Sequence, residues 1–223
     1  SILSEFGFSE KFKPSVLRDA ELIAEPNYDK EALKRKDLRN VLTFTIDPHD
    51  AKDFDDAISY QVGNNNNVLI GVHIADVSHY IKPNSELDKE AYLRGNSIYL
   101  VDRVVPMLPE RLSNELCSLR PNEDKLTFSV IFEVDSKHQV VDFWIGKTII
   151  HSDYRFAYED AQEIIEGGEH KISKQILHLH KIAQHHRAKR LEKGALNIES
   201  REVRFQLDEN GAPIDVMLKT SKD

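Results

Sequence analysis

Five aspartates lie within ten residues of one another, and these carboxylates are the part of the chain best suited to chemistry. They are Asp47, Asp50, Asp53, Asp55 and Asp56. The cluster stands between two apolar runs, residues 41–46 and 57–60, which are typical of buried strands. Because carboxylates this close repel one another, we expect a cation to hold them together. Oxygen donors without nearby thiolates favour a hard divalent ion, Mg²⁺ or Mn²⁺, over zinc.

The spacing of the aspartates limits how they can converge. In an extended chain Asp53 and Asp55 share one face and Asp56 lies on the other, while Asp47 joins them only if residues 48–52 form a loop that folds back. Two other interpretations stay open. The cluster is a solvated acidic turn, or it is a calcium loop, although neither Asp47 nor Asp53 begins a loop with glycine and glutamate at the required positions.

Residues 45–57 resemble the signature of the ribonuclease II/ribonuclease R (RNB) family of 3′-to-5′ exoribonucleases. The resemblance extends over roughly residues 35–205 and is closest on the ribonuclease R side of the family. Further matching segments follow in the family's order, at residues 35–39, 73–80, 94–99, 106–109, 112–119 and 152–160.

This resemblance implies processive hydrolysis of single-stranded RNA to 5′-nucleoside monophosphates by metal-activated water, with Mg²⁺ or Mn²⁺ as cofactor. It implies a metal site made by Asp47, Asp53, Asp55 and Asp56. We expect Asp47 and Asp56 to be direct ligands and Asp53 to support the metal and the catalysis. Loss of Asp55 should damage the chemistry most.

Two tyrosines match aromatic positions of the family that contact RNA. Tyr99 stands where an aromatic side chain stacks on a base near the RNA entrance. Tyr158 stands where a tyrosine positions the last nucleotides in the active site, and it is therefore expected to serve both binding and catalysis. Ile198 occupies a place where many members carry phenylalanine, so a complete aromatic clamp is in doubt. The alternative for each tyrosine is an ordinary surface or strand residue.

Composition indicates a cytoplasmic globular protein without a membrane span. The lone cysteine, Cys117, excludes an internal disulfide, and its apolar neighbours indicate a core residue. The net charge of −8 opposes RNA binding, but a metal site needs surplus carboxylates. The resemblance also implies OB-type RNA-binding domains on either side in the full-length protein.

The hydrophobic pattern predicts an α+β fold, a mainly antiparallel sheet with helices packed on one side. We expect a lead-in segment with a short helix at residues 1–38 and the N-terminal half of an RNB catalytic domain at 39–223. Predicted strands are residues 41–46, 57–61, 68–74, 97–101, 126–135, 140–150, 202–207 and 214–218. Predicted helices are residues 15–24, 85–93, 110–119, 161–166 and 173–193.

Two expectations concern charge and activity. Residues 29–36 read as a charged surface connector, and Arg39 is either a counter-charge for the aspartates or an exposed arginine. The resemblance implies that the isolated chain is inactive or weakly active, since the family's catalytic domain is longer. The alternative function is a non-catalytic RNA-binding or assembly module.

Overall fold

The computed structural model of this chain describes residues 2–196, 202–208 and 213–219. The chain divides into two compact units. The first comprises Ser1–Ser97 with Pro106–Ala157, and the second comprises Ile98–Val105 with Tyr158–Asp223. The predicted division at residue 38 stays a prediction.

A single sheet organises the first unit. Its strands are β1 Lys36–Asp37, β2 Thr43–Asp47, β3 Asp56–Val62, β4 Val68–Ala75, β7 Asp124–Val134, β8 Val140–His151 and β9 Tyr154–Ala157. The remaining described strands, which belong to the second unit, are β5 Ile98–Tyr99, β6 Val104–Val105, β10 Glu202–Leu207 and β11 Pro213–Lys219. Among the described residues the large sheet has the order β1-β8-β7-β4-β3-β2-β9.

The centre of the sheet is antiparallel, as the alternating pattern predicts. β2, β3 and β4 form a meander, and β7 and β8 form a long hairpin next to β4. The two edges differ, because β1 runs parallel to β8 and β9 runs parallel to β2. The predicted α+β fold with a mainly antiparallel sheet is confirmed.

The helices that the structure describes precede, separate and follow these strands along the chain. They are α1 Ile2–Glu5, α2 Pro14–Glu21, α3 Tyr28–Ala32, α4 Val77–Tyr80, α5 Glu86–Arg94, α6 Tyr158–Ile165 and α7 Ser173–Glu192, with a π-helical turn at Arg111–Leu116. α5 begins and ends as the sequence predicts, since the Ser85 hydroxyl accepts from the Asp88 N–H and Gly95 closes it at φ 73°. The connector prediction for residues 29–36 is wrong, because Asn27 caps the short helix α3 there.

The two faces of the sheet have different environments. Helical residues such as Val16, Leu87 and Leu112 form one core with the sheet residues Ala57 and Ala75. Burying this apolar surface is the main stabilising contribution to the first unit. Side chains of the opposite parity keep substantial exposure and include Val72, Ile74, Phe128, Phe143 and Ile145. Helices therefore cover one side of the sheet, as predicted.

A buried polar layer lies on the helix-covered side of the central strands. His73 is 0% exposed, and its Nδ1 lies 2.7 Å from the Ser129 hydroxyl. Gly71 makes room for the imidazole, since a Cβ at that position would lie 2.3 Å from the Ser59 hydroxyl and 2.5 Å from Nε2 of His73. His73 Nε2 has no hydrogen-bond partner among the described residues.

In the second unit, the described residues form two small hairpins and two helices. β5 pairs with β6, and β10 pairs with β11. The helix predicted at 173–193 is confirmed as α7, while α6 begins at Tyr158, three residues earlier than predicted. In the portion of the chain that the structure describes, no helix has the length and apolar character needed to cross a membrane.

Candidate active site

Asp47 is the most buried of the four predicted metal ligands. It ends β2 and pairs with Ala157 of β9, and only 8% of its surface is exposed. Its Oδ2 atom is buried without a hydrogen-bond partner among the described residues. Because a buried carboxylate oxygen that lacks a donor is costly, a cation at this atom would have a large stabilising effect.

The segment from Pro48 to Asp55 returns the chain from β2 to β3. It opens with a turn in which the Ala51 N–H donates to the Pro48 carbonyl at 3.0 Å, so the predicted fold-back is present. Phe54 is buried in the core and anchors the segment, which we call the acidic loop. The Asp55 carbonyl accepts from the Ala75 N–H at 3.0 Å, and Asp56 then starts β3.

Charge repulsion couples the four aspartates. Burial raises the pKa of Asp47, and the charges of Asp56 and Asp53 raise it further. The pKa of Asp55 is also raised, by partial removal from water and then by the charges of Asp53, Asp56 and Asp47, although much of its side chain remains accessible. The contributions of neighbouring aspartates to both shifts indicate that the negative charges of the cluster repel one another, which favours a bound cation.

Side chains outside the aspartate motif hydrogen bond to main-chain atoms of the acidic loop, and Ser118 and Arg155 are two of them. The Ser118 hydroxyl accepts from the Phe54 N–H and donates to the Lys52 carbonyl, both at 3.0 Å. Arg155 of β9 donates through Nη2 to the carbonyls of Pro48 at 2.7 Å and His49 at 2.8 Å. Sequence reasoning missed both residues. Each lies in a segment that resembles the family, but a lone serine or arginine in a sequence does not by itself indicate a particular chemistry.

The carboxylate oxygens of the aspartates suit a hard divalent ion, but the side chains do not form a complete coordination shell. No three His, Cys, Asp or Glu side chains among the described residues stand ready to hold a metal. Mg²⁺ commonly uses only one or two carboxylates and completes its shell with water and substrate phosphate. The orphaned Oδ2 of Asp47 and the mutual repulsion of its neighbours fit an ion of this kind.

The predicted RNA-contacting tyrosines belong to the second unit. Tyr99 lies in β5 with 66% exposure, and Tyr158 begins α6 with 42% exposure. Both rings are therefore accessible, and their roles stay predictions. Ile198 lies outside the described residues.

Arg39 does not serve as the counter-charge of Asp47. Its guanidinium binds Asp37 at 2.7 Å and reaches Asp29 and Asp124 at 3.3 Å each. The cation that lowers the pKa of Asp47 is Arg155, which acts against the larger effect of burial. The sequence interpretation of Arg39 as a partner of the aspartates is therefore wrong.

Comparison with known proteins places this arrangement in a family. Residues 35–223 match the RNB domain. Ribonuclease R of Thermotoga maritima is 45% identical over 213 residues, which cover 93% of this chain and 30% of that protein. Ribonuclease R 1 of Lactococcus lactis is 40% identical over 228 residues, which cover 98% of this chain and 28% of that protein.

A solved structure shows the same fold. It is Mycoplasma genitalium RNase R in complex with ribose methylated single-stranded RNA, with a TM-score of 0.90 at 27% identity, and the match covers 99% of this chain and 35% of that one. The chain thus spans about a third or less of the length of these relatives. Because the family match covers residues 35–223 of the 223, the chain belongs to the RNB domain family.

Proposed function

We propose that this chain is part of a 3′-to-5′ exoribonuclease that hydrolyses single-stranded RNA processively to 5′-nucleoside monophosphates. The observation that carries the proposal is the aspartate cluster on the acidic loop, where Asp47 keeps a buried oxygen without a donor. The RNB family match supports it, as does the fold shared with an RNase R that was solved with single-stranded RNA.

The four aspartates differ in their positions on the strands and the loop, and we assign them different roles. Asp47 and Asp56 stand at the facing ends of β2 and β3, and we assign them to direct contact with Mg²⁺ or Mn²⁺. A bound ion would supply positive charge to the scissile phosphate and its transition state. Asp53 lies between Asp47 and Asp56 in the sequence and is half-buried, and we assign it to support of the ion and of the attacking water.

Asp55 is the residue on which the hydrolytic step depends most. Its carboxylate is accessible and can accept a proton from water. It orients the attacking water and takes its proton, the water oxygen bonds to phosphorus, and the 3′-oxygen leaves as its bond to phosphorus breaks and takes a proton from solvent. The products are a nucleoside 5′-monophosphate and an RNA shortened by one nucleotide.

Tyr99 and Tyr158 are assigned to substrate. An exposed phenol ring stacks on a base of any identity, which suits an enzyme that degrades RNA without sequence preference. Tyr158 also has a hydroxyl that donates to phosphate without competing for the metal. We infer cytoplasmic action. We also infer OB-type RNA-binding domains elsewhere in the full-length protein, because a net charge of −8 opposes RNA binding by this chain alone.

The test is a decay assay on 5′-labelled single-stranded RNA with Mg²⁺ or Mn²⁺. It is run on this chain and on the longest natural protein that contains it, as native sequence, as Asp55→Asn and as the matched control Asp50→Asn. We expect the long protein to release monophosphates one at a time, Asp55→Asn to lose at least 100-fold in rate, and Asp50→Asn to stay within about threefold.

Two results would overturn the proposal. One is full activity of Asp55→Asn in the long protein, which would remove the aspartate cluster from the chemistry. The other is metal-dependent RNA binding without any cleavage by the long protein, which is the behaviour of a binding or assembly module.

A further inference from the structure

We infer that Arg155 and Ser118 are positioning residues that clamp the acidic loop from its two ends and thereby set the geometry of the metal ligands. The inference rests on the proposed function, because it concerns the same carboxylates. Neither residue is assigned as a metal ligand. Their hydrogen bonds to the loop go to main-chain atoms, and the loop conformation therefore depends on them.

Arg155 holds the beginning of the acidic loop. One guanidinium nitrogen, Nη2, donates to two successive carbonyls, those of Pro48 and His49, at 2.7 and 2.8 Å. Two adjacent carbonyls that point at one cation fix the turn directly after Asp47. The guanidinium carbon also lies 5.6 Å from the centre of the Phe54 ring, so the same side chain contacts the far end of the loop.

Ser118 holds the end of the acidic loop. Its side chain is fully buried, and the hydroxyl satisfies the Phe54 N–H and the Lys52 carbonyl together. The adjacent Leu119 N–H donates to the Phe54 carbonyl at 2.9 Å. Residues 52 and 54 flank Asp53, so this contact fixes the backbone on both sides of that carboxylate and leads directly into Asp55.

The clamp opposes the charge repulsion among the aspartates. Four carboxylates within ten residues repel one another and would separate if the loop were free to move. Pairing with β9 holds Asp47 and pairing with β4 holds Asp56, but Asp53 and Asp55 lie between the strands and need another constraint. Supporting residues of this kind typically change metal affinity roughly 10- to 100-fold when they are removed.

The experiment compares two clamp variants with two matched controls. The clamp variants are Arg155→Met and Ser118→Ala. The control for arginine is Arg94→Met, since Arg94 also donates to two carbonyls, at Pro106 and Lys11, and lies over a phenylalanine ring. The control for serine is Ser97→Ala, since that hydroxyl accepts from the Met107 N–H at 3.0 Å.

The first readout is hydrogen exchange of peptides that cover residues 48–56, measured without metal on the 223-residue chain. We expect exchange at least tenfold faster in Arg155→Met and Ser118→Ala and unchanged in the two controls. This readout does not depend on catalysis or on metal binding. Unchanged exchange in both clamp variants would overturn the inference, even if the proposed function is correct.

The second readout is the dissociation constant for Mn²⁺, followed by calorimetry. We expect a rise of tenfold or more in both clamp variants and of less than threefold in the controls. Failure of the unmodified chain to bind Mn²⁺ would count against the proposed metal site. The exchange data would still test whether Arg155 and Ser118 hold the acidic loop. Faster exchange with unchanged Mn²⁺ affinity in both clamp variants would overturn the link between the loop and the ligands.

A conservative variant separates geometry from charge. Arg155→Lys keeps the positive charge, but its ammonium stands one bond short of the position of Nη2, and it has no planar group to lie near the Phe54 ring. We expect it to behave like Arg155→Met in both readouts, and it also serves if the methionine variant does not fold. Full rescue by lysine would show that Arg155 acts only as a counter-charge and would overturn its assignment as a positioning residue.

Discussion

Protonation of His73 should destabilise the chain in mild acid. The imidazole is fully buried in β4, opposite Ala57, and its Nε2 has no partner among the described residues. Burial lowers the pKa of His73 from 6.5 to about 4, because the charged form would have to leave water. The unfolded chain binds this proton near pH 6.5 and the folded chain does not, so stability is lost as the pH falls from 6.5 towards 4.

The magnitude follows from the interval between the two values. At about 1.4 kcal/mol per pH unit, titration across the whole interval between the two pKa values lowers the free energy of unfolding by about 3 kcal/mol. A change from pH 7.5 to pH 4.5 lowers it by about 2.5 kcal/mol. Urea denaturation followed by circular dichroism measures the free energy of unfolding at both pH values. His73→Gln is the comparison, because glutamine is neutral throughout this range.

The comparison removes the contributions that both proteins share. Acid also protonates Glu31, Asp37, Asp76 and Glu123, whose pKa values are lowered in the folded chain and whose stabilising contributions are lost in acid. The native chain should lose about 2.5 kcal/mol more than His73→Gln over this range. Equal losses in the two proteins would refute the reasoning. If His73→Gln does not fold, an NMR titration of the His73 ring that gives a pKa above 6 refutes it instead.

Three further predictions use other groups. Asp55→Asn should raise the melting temperature of the metal-free chain by about 1–3 °C, because it removes a charge whose pKa is raised by burial and then by the neighbouring aspartates, and a lower melting temperature would contradict this. Burial raises the pKa of Cys117 to about 12, so the thiol should react with a disulfide reagent only after unfolding, and rapid labelling of the native chain at pH 8 would disprove burial. Arg35→Met should cost about 3–5 kcal/mol in urea unfolding, because Asp76 is 2.8 Å away and both side chains are 2% exposed, and a loss under 1 kcal/mol would argue against that pair.

The central strands could be predicted from the sequence because their signals are local. Alternating β-branched and aromatic residues mark residues 57–61 and 68–74, and an asparagine-rich turn separates them. The structure extends these strands by a residue or two to Asp56–Val62 and Val68–Ala75. The hairpin of β7 and β8 was predictable for the same reason.

The parallel edges of the sheet were not predictable from local pattern. β1 has two residues and β9 has four, which is too short for a periodic signal. Their positions are set by long-range pairing, such as Phe44 with Tyr154. Helix α3 escaped prediction because it is five residues long and mostly polar, so its Asn27 cap is the main local sign.

The aspartate cluster was predictable as a group, but its support was not. The spacing of Asp47, Asp53, Asp55 and Asp56 suggests a site, and the raised pKa values of Asp47 and Asp55, to which neighbouring aspartates contribute after burial, agree with the expected proximity. Their roles at a metal stay a prediction. Ser118 and Arg155 are 64 and 107 residues from the loop atoms that they contact. Contacts between side chains and distant main-chain atoms leave no pattern in a single sequence.

The most direct test of the metal site is anomalous diffraction from crystals soaked in Mn²⁺. We predict a peak bonded to the Asp47 and Asp56 carboxylates, at about 2.1 Å from Oδ2 of Asp47, that disappears in Asp47→Asn. Binding of Mn²⁺ at other residues alone, or no metal at Oδ2 of Asp47 at saturating Mn²⁺, would contradict the proposed metal site.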